Sequence, residues 1–314
     1  EIRSGQVAGL KDFDYYLLKF GNSQYSSAEL EMAYHEMAVN AGISMMPSEI
    51  YETDGNKNFI TKRFDRDRER KLHTQTLAAI SPETESYEGL IAVCRKLHLP
   101  ESDCQEVFRR LVFNILSNNT DDHTKNFSFI MDETGKWRLS PAYDLTYIID
   151  AGGYLPNTGH CMYVRAKLHN ISYDDAIEFA KDNGIRRADS IIQAVVGSLK
   201  QFRTIAQKYA VQDRWINTVE DAINRHLDLW GFANSNKTAV NLVINGTQYN
   251  NVRIEQTYKG NFHLYANING AERKYVIGKN KSEYGLIQSI GVSNLSKDLL
   301  ADMVEKFLCH SDYC

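Results

Sequence analysis

Between Phe13 and Phe20 the chain runs FDYYLLKF, a mostly apolar stretch of strand length with one lysine, Lys19, near its end. The pattern then changes period. Leu30, Ala33, Met37, Ala38 and Ala41 recur at helical spacing, with Ser26 or Ser27 as the cap, Glu29 and Glu31 in the first turns and Gly42 at the stop. SEIYET and NFITKRFDR flank a DGN turn and predict a hairpin. Strand, helix and hairpin together predict a small sheet with one helix packed on it.

After the hairpin the pattern becomes mainly helical. SYEGLIAVCRKL and DCQEVFRRLVFNILSNN are the clearest cases, and in the second Val107, Phe108, Leu111, Val112, Ile115 and Leu116 form one apolar stripe. NFSFIM and WRLS, separated by a Glu-Thr-Gly turn, predict a short hairpin, and residues 172–230 read as helical again. Composition shifts at GFANSNKTA. Beyond it apolar and polar residues alternate, notably at Val252, Ile254, Phe262, Leu264 and Ile268, with turns at Asn245-Gly246, Lys259-Gly260 and Asn269-Gly270. A last helix, Lys297 to Leu308, places Leu300, Met303, Val304 and Phe307 on one face. This tail reads as a small separate unit, and Tyr258, Phe262 and Tyr265 within it as cross-strand core packing rather than a nucleic-acid platform.

Composition narrows the function classes only a little. The 314 residues suffice for two lobes or two domains. The net charge of -4 gives no reason to expect a nucleic-acid binder. No run of about 18 apolar residues is present, so no membrane span is expected, and no signal peptide is apparent. Cys94, Cys104, Cys161, Cys309 and Cys314 are odd in number and scattered, without a C-x-x-C pair, which suits a reducing cytoplasm better than a disulfide scaffold or zinc site.

The candidate chemistry lies between the apolar helix stripe and the short hairpin, in NNTDDHTKNFSFIMDETGKWRLSPAYDL. Phosphoryl transfer needs a carboxylate facing the nucleophilic hydroxyl, an asparagine and an aspartate on the metal, and a lysine on the nucleotide phosphates. Asp121 and Asn126 have the four-residue separation of a kinase catalytic loop, and Asp144 follows after the hairpin. Upstream, Lys19 ends a strand and Glu31 lies on the next helix. Each feature alone has a plain structural explanation: NNTDDH as a helix cap and turn, Lys19 as a solvated strand lysine, Glu31 as a first-turn acid. Their order along the chain favours the kinase reading.

In LLKF, MAVNAGI, TKRFDR, KLHTQTL, RLVFNILSNNTDDHTKNFSFIMD and GKWRLSPAYDL the chain resembles the HipA-like toxin kinases, bacterial serine/threonine kinases paired with antitoxins. The resemblance covers about Glu1 to Trp230 and is strongest between Phe59 and Leu145. It implies an α+β, two-lobed protein-kinase-like fold: a β-rich N-lobe and hinge over residues 1–66 and a mainly helical C-lobe over 67–234. The β-rich extension with a terminal helix over 235–314 lies outside the resemblance and is read from the residue pattern alone. It implies Asp121 as the catalytic aspartate, Asn126 and Asp144 as magnesium ligands, and Lys19 on the ATP phosphates with Glu31 as its partner. The backbone of Lys62 and Phe64 is expected at the adenine. Lys125 and His123 complete the nucleotide side, although His123 suits a role in steadying the loop better. Asp122 is expected to be a supporting acid.

The implied activity is ATP- and magnesium-dependent serine/threonine phosphorylation by the toxin of a toxin–antitoxin pair. The implied substrate is a translation component such as an aminoacyl-tRNA synthetase. The implied partner is a helix-turn-helix antitoxin, with DNA reached only through it and no membrane involved. Members carry a glycine-rich loop one strand before LLKF, whereas this sequence opens at EIRSGQVAGL, which resembles the turn after that loop, so the phosphate-covering loop is not expected in it. A small-molecule kinase is the second reading. Such enzymes place histidine before the catalytic aspartate, where this chain has Thr120, with His123 after it. A catalytically impaired scaffold is the third, and the presence of Lys19, Asp121, Asn126 and Asp144 speaks against it.

Overall fold

The computed structural model describes residues 13–67, 70–149, 159–232, 240–256, 261–290 and 295–308. The chain divides into two compact units, Glu1–Ile223 and Asn224–Cys314. The opening EIRSGQVAGL and the Lys259-Gly260 turn lie outside the described residues.

The first unit begins with β1 (Tyr16–Lys19), α1 (Ser27–Asn40), β2 (Ser48–Thr53) and β3 (Asn56–Lys62). β3 is the central strand of an antiparallel sheet ordered β1-β3-β2, and Lys19 pairs with Phe59 at the sheet's edge. The hairpin turn is Asp54-Gly55, both at positive φ (50° and 75°), the conformation that Asp-Gly supplies most readily. Gly21 has a different task. A Cβ there would stand 1.9 Å from the Lys57 carbonyl oxygen, so the chain leaving β1 touches β3 backbone to backbone. The expected α1 cap takes another form: Ser26 stands at the N-cap position in the left-handed region and makes no capping bond. Its hydroxyl accepts from Gln212 N at 3.2 Å instead, while Ser27 Oγ accepts from Asn22 N at 2.8 Å. Gly42, with φ 83°, ends the helix as expected.

Two two-residue strands, β4 (Arg66–Asp67) and β5 (Arg70–Lys71), lead to β6 (His73–Thr76) and the one-turn helix α2 (Leu77–Ile80). Then come α3 (Tyr87–Lys96), α4 (Glu101–Ser117), a 3-10 turn at Thr124–Asn126, β7 (Ser128–Met131) and β8 (Trp137–Leu139). β6, β7 and β8 form a second antiparallel sheet. β6 was not expected from HTQT, which has no apolar alternation; its place is fixed by the partner, His73 opposite Met131 through Thr76 opposite Ser128.

Helices α5 (Tyr173–Asp182), α6 (Ala188–Leu199), α7 (Phe202–Lys208) and α8 (Asp213–Leu229) follow. The predicted stripe of α4 is wholly buried, and Tyr34 of α1 fits between Phe113 and Phe202 with edge-on rings at 6.2 and 6.4 Å. The Tyr34 hydroxyl donates to Ser117 O at 2.6 Å, which ties α1 to the end of α4.

The second unit holds β9 (Val240–Ile244), β10 (Thr247–Gln256), β11 (Phe262–Ile268) and β12 (Ala271–Ile277), an antiparallel meander in chain order. Helices α9 (Ser282–Ile290) and α10 (Lys297–Leu308) follow, and α9 was not anticipated. Val252, Ile254, Phe262 and Leu264 join Leu300, Met303, Val304 and Phe307 in one core. The aromatic residues divide by strand parity. Phe262 is core, but Tyr265 is on the opposite face, with the Arg253 guanidinium 4.6 Å from its ring centre, because neighbouring strand positions point to opposite faces. Tyr258 lies outside the described residues. No described helix is long and apolar enough to cross a membrane.

Candidate active site

Helix α4 ends at Asn118, whose left-handed backbone (φ 56°) turns the chain out of the helix axis. Asn119 N returns a bond to Asn114 O at 2.9 Å, and the following residues, Thr120 to Asn126, form the candidate loop. The loop feeds straight into β7. Because β7 and β8 are antiparallel, the chain comes back to its starting end, which is why Asn126, two residues before β7, and Asp144, five after β8, line the same small cavity. The two loop ends are also tied directly. The Tyr143 hydroxyl donates to Lys125 O at 2.7 Å and lies 2.6 Å from Ser128 Oγ. Ala142 N donates to Ser44 O at 2.7 Å, and Asp144 itself sits in the left-handed region at φ 59°.

Lys19 reaches this point from β1. Its Nζ donates to Glu31 Oε1 at 2.5 Å and to Asp144 Oδ1. Burial works to lower the Lys19 pKa, but the two carboxylates outweigh it and hold the ammonium above its ordinary value. Glu31 is pushed up by its own burial, against the pull of Lys19.

Asp121 and Asp122 point to different surroundings. The Asp121 side chain is 46% exposed, while that of Asp122 is fully buried. Asn126 Nδ2 donates to Asp121 O at 2.8 Å, which leaves Asn126 Oδ1 as the atom open to a cation. The Asp121 carboxyl is raised by partial burial and by the neighbouring Asp144 and Asp122 charges, and lowered by His123, whose Nε2 is 3.7 Å from Asp121 Oδ1. His123 Nδ1 is buried and has no hydrogen-bond partner among the described residues.

The other expected residues are arranged less tightly. Lys125 offers its carbonyl to Tyr143, and its side chain is exposed. Lys62 N–H already donates to Pro47 O at 2.9 Å, and Lys62 Nζ pairs with Asp14 at 2.8 Å. The Phe64 ring stacks on Tyr143, with centres 5.5 Å apart and planes at 29°, joining the end of the first sheet to the residue before Asp144.

Sequence reasoning passed over Tyr143, although it stands beside Asp144 in PAYD. It also passed over Arg110, a cation buried inside α4. Arg110 donates through Nε to Glu106 at 3.0 Å and through Nη2 to Ser140 O at 2.8 Å. Among the described residues Arg110 Nη1 and Asn119 Oδ1 have no hydrogen-bond partner, and both residues line the cavity that Asn126 and Asp144 share. That cavity measures about 10 Å³, close to the ~10–15 Å³ that one water requires.

The donor set suits magnesium. Among the described residues no group of three or more His, Cys, Asp or Glu could hold a metal ion. One amide oxygen and one carboxylate are what a protein contributes when phosphate and water supply the remaining ligands of an octahedral ion.

Comparison with known proteins bears on the family and the fold. The chain is 25% identical over 223 residues to a Haemophilus influenzae protein named "Putative kinase", a match covering 59% of this chain and 64% of that protein. It is 21% identical over 219 residues to "Putative kinase Y4mE" of Sinorhizobium fredii, covering 63% and 52%. The chain thus spans between about half and two-thirds of the length of these relatives. Among solved structures, HipA of Shewanella oneidensis MR-1, in complex with HipB and its operator DNA, superimposes with a TM-score of 0.57 at 17% identity, over 69% of this chain and 59% of that one. That likeness shows a shared fold. The profile of the HipA-like C-terminal domain matches residues 5–203, well over half of the sequence, and the chain belongs to that family.

Proposed function

We propose that the chain is an ATP- and magnesium-dependent serine/threonine protein kinase, the toxin of a toxin–antitoxin pair. The observation that carries this reading is the meeting of five residues from three parts of the chain: Lys19 bonded to both Glu31 and Asp144, with Asn126 lining the same cavity as Asp144 and bonded to the backbone of Asp121.

In this reading Asp121 orients the acceptor hydroxyl and takes its proton as the oxygen bonds to the γ-phosphorus and the bond to the β,γ-bridging oxygen breaks. Lys19, oriented by Glu31, holds the nucleotide phosphates. Asn126 Oδ1 and the Asp144 carboxylate would hold magnesium, which would neutralise charge on the phosphates. Phe64 and Tyr143 form an apolar wall suited to the nucleotide base. Lys62 N–H is committed to Pro47, so base recognition falls to other groups at that edge.

The proposed substrate is a translation component such as an aminoacyl-tRNA synthetase, and the proposed partner is a helix-turn-helix antitoxin, through which alone DNA is reached. The neighbour's complex with HipB and operator DNA supports the partner, and the substrate is the one that the resemblance to the HipA-like kinases implies. The test is incubation of the protein with γ-labelled ATP, magnesium and a lysate of its host, followed by identification of the labelled protein and its modified residue. Label on serine or threonine of one dominant protein, lost in Asp121→Asn, is the expected result. Label transferred only to small molecules would replace this reading with the small-molecule kinase.

A further inference from the structure

Asp122 is a carboxylate with no exposed side-chain surface, one residue from the candidate catalytic aspartate. Burying a charge is costly unless hydrogen bonds replace its water. Here three do. The Tyr87 hydroxyl donates to Oδ2 at 2.8 Å, Cys161 N donates to Oδ1 at 2.7 Å, and His160 Nδ1 lies 3.1 Å from Oδ2. The chain of bonds continues. Asn114 Nδ2 donates to the Tyr87 hydroxyl at 3.0 Å, and Asn119 Nδ2 donates to Asn114 Oδ1 at 3.0 Å. Asn119, the residue before the candidate loop, and Asp122, within its first half, are therefore fastened to one buried network. Its anchors lie on α3, on α4 and on the segment at 160–161.

The alternation of exposure between Asp121 and Asp122 follows from this attachment. With the Asp122 side chain drawn inward by three donors, the backbone turns its neighbour outward. The geometry points to Asp122 as the positioning residue for Asp121, with His160 and Tyr87 as the groups that fix it. The same carboxylate binds the segment at 160–161, so the loop and that segment are held as one piece beside the acceptor. This inference rests on the phosphotransfer reading above, and it assigns to Asp122 no contact with substrate or nucleotide.

The test compares Asp122→Asn, Tyr87→Phe, His160→Ala and His160→Asn in the full chain, with thermal melting to correct for the folded fraction. Asparagine at 160 can place a donor near the Nδ1 position of histidine, and alanine cannot. The expected result is a drop in kcat of at least tenfold for Asp122→Asn and His160→Ala, with KM for ATP within twofold. His160→Asn should recover at least half of the His160→Ala loss. In an Asp121→Asn background, adding Asp122→Asn should change the residual rate by less than twofold, because a residue acting through Asp121 has nothing left to position.

If the folded variants keep wild-type kcat while wild-type transfer depends on Asp121, the positioning role is wrong and the kinase reading stands. If wild-type protein shows no Asp121-dependent transfer, both are wrong. Should Asp122→Asn fail to fold, Tyr87→Phe, which removes one donor and no charge, decides the matter by the same kcat criterion.

Discussion

Lys19 and Glu31, on β1 and α1, form an ion pair of 2.5 Å in which the lysine is half-buried and the glutamate the more deeply buried partner. The two ends are therefore unequal. Removing the lysine leaves Glu31 buried and Asp144 unpaired, whereas neutralising the glutamate leaves Lys19 with Asp144. Lys19→Met is expected to lower the melting temperature and to cost about 10²–10³-fold in transfer rate, the usual loss of one electrostatic stabiliser. Glu31→Gln is expected to change stability by less than about 1 kcal/mol, since burial already disfavours the charged form, and to slow transfer all the same. Melting curves and initial rates for both variants check this; a Glu31→Gln protein markedly less stable than Lys19→Met would reverse the asymmetry.

Asp121→Asn should reduce transfer by about 10²–10⁴-fold, as loss of a positioned base does. Nucleotide affinity and melting temperature should be nearly unchanged, because the side chain is half exposed and none of the hydrogen bonds described above uses its carboxylate. Full activity in the purified variant would remove Asp121 from the reaction.

The pH dependence follows from the same residue. Partial burial and the nearby carboxylates raise the Asp121 pKa, so the acid limb of kcat should fall at a pH above the ordinary aspartate value of ~3.9. His123 acts in the other direction. His123→Gln removes a group that lowers the Asp121 pKa, so the limb should move to still higher pH. A limb that moves down in His123→Gln would show that the pair does not interact as placed.

The second unit builds its core from its own residues, from Leu242 to Leu308. A chain ending at Phe232 should therefore keep a cooperative melting transition and the Asp121-dependent rate. If turnover is lost while the fold persists, the tail belongs to the reaction centre.

Helix stripes were the most legible part of the chain, because one apolar face repeats over several turns. Val107 to Leu116 and Leu300 to Phe307 were read residue by residue. The candidate loop was legible from the spacing of Asp121 and Asn126. What the sequence concealed depends on partners distant in the chain. β6 is a strand because β7 offers it bonds, and no periodicity in HTQT announces it. Ser26 looked like a cap, yet its hydroxyl is claimed by Gln212, 186 residues away. His160 reaches Asp122 across 38 residues and carries no local signal. Tyr265 has the aromatic character of a core residue, but its strand parity puts it on the face opposite Phe262, under the Arg253 guanidinium.

Gly21, just past β1, and Gly55, in the turn between β2 and β3, both border the same small sheet, but they would behave as opposites in a saturation library. Gly55 faces open space at φ 75°, so asparagine or aspartate, which tolerate that conformation, should survive selection there. At Gly21 the obstacle is backbone, the Lys57 carbonyl, and no rotamer escapes it. Even alanine must push the exit of β1 away from β3. Lys19 lies two residues upstream, so that displacement would be felt at its ammonium. Sequencing the survivors of such a library, sorted first for folding and then for phosphotransfer, should show Gly55 variants in both pools and Gly21 variants depleted most in the second. The glycine is then a spacer in the strict sense: its missing atom sets how far the lysine can reach.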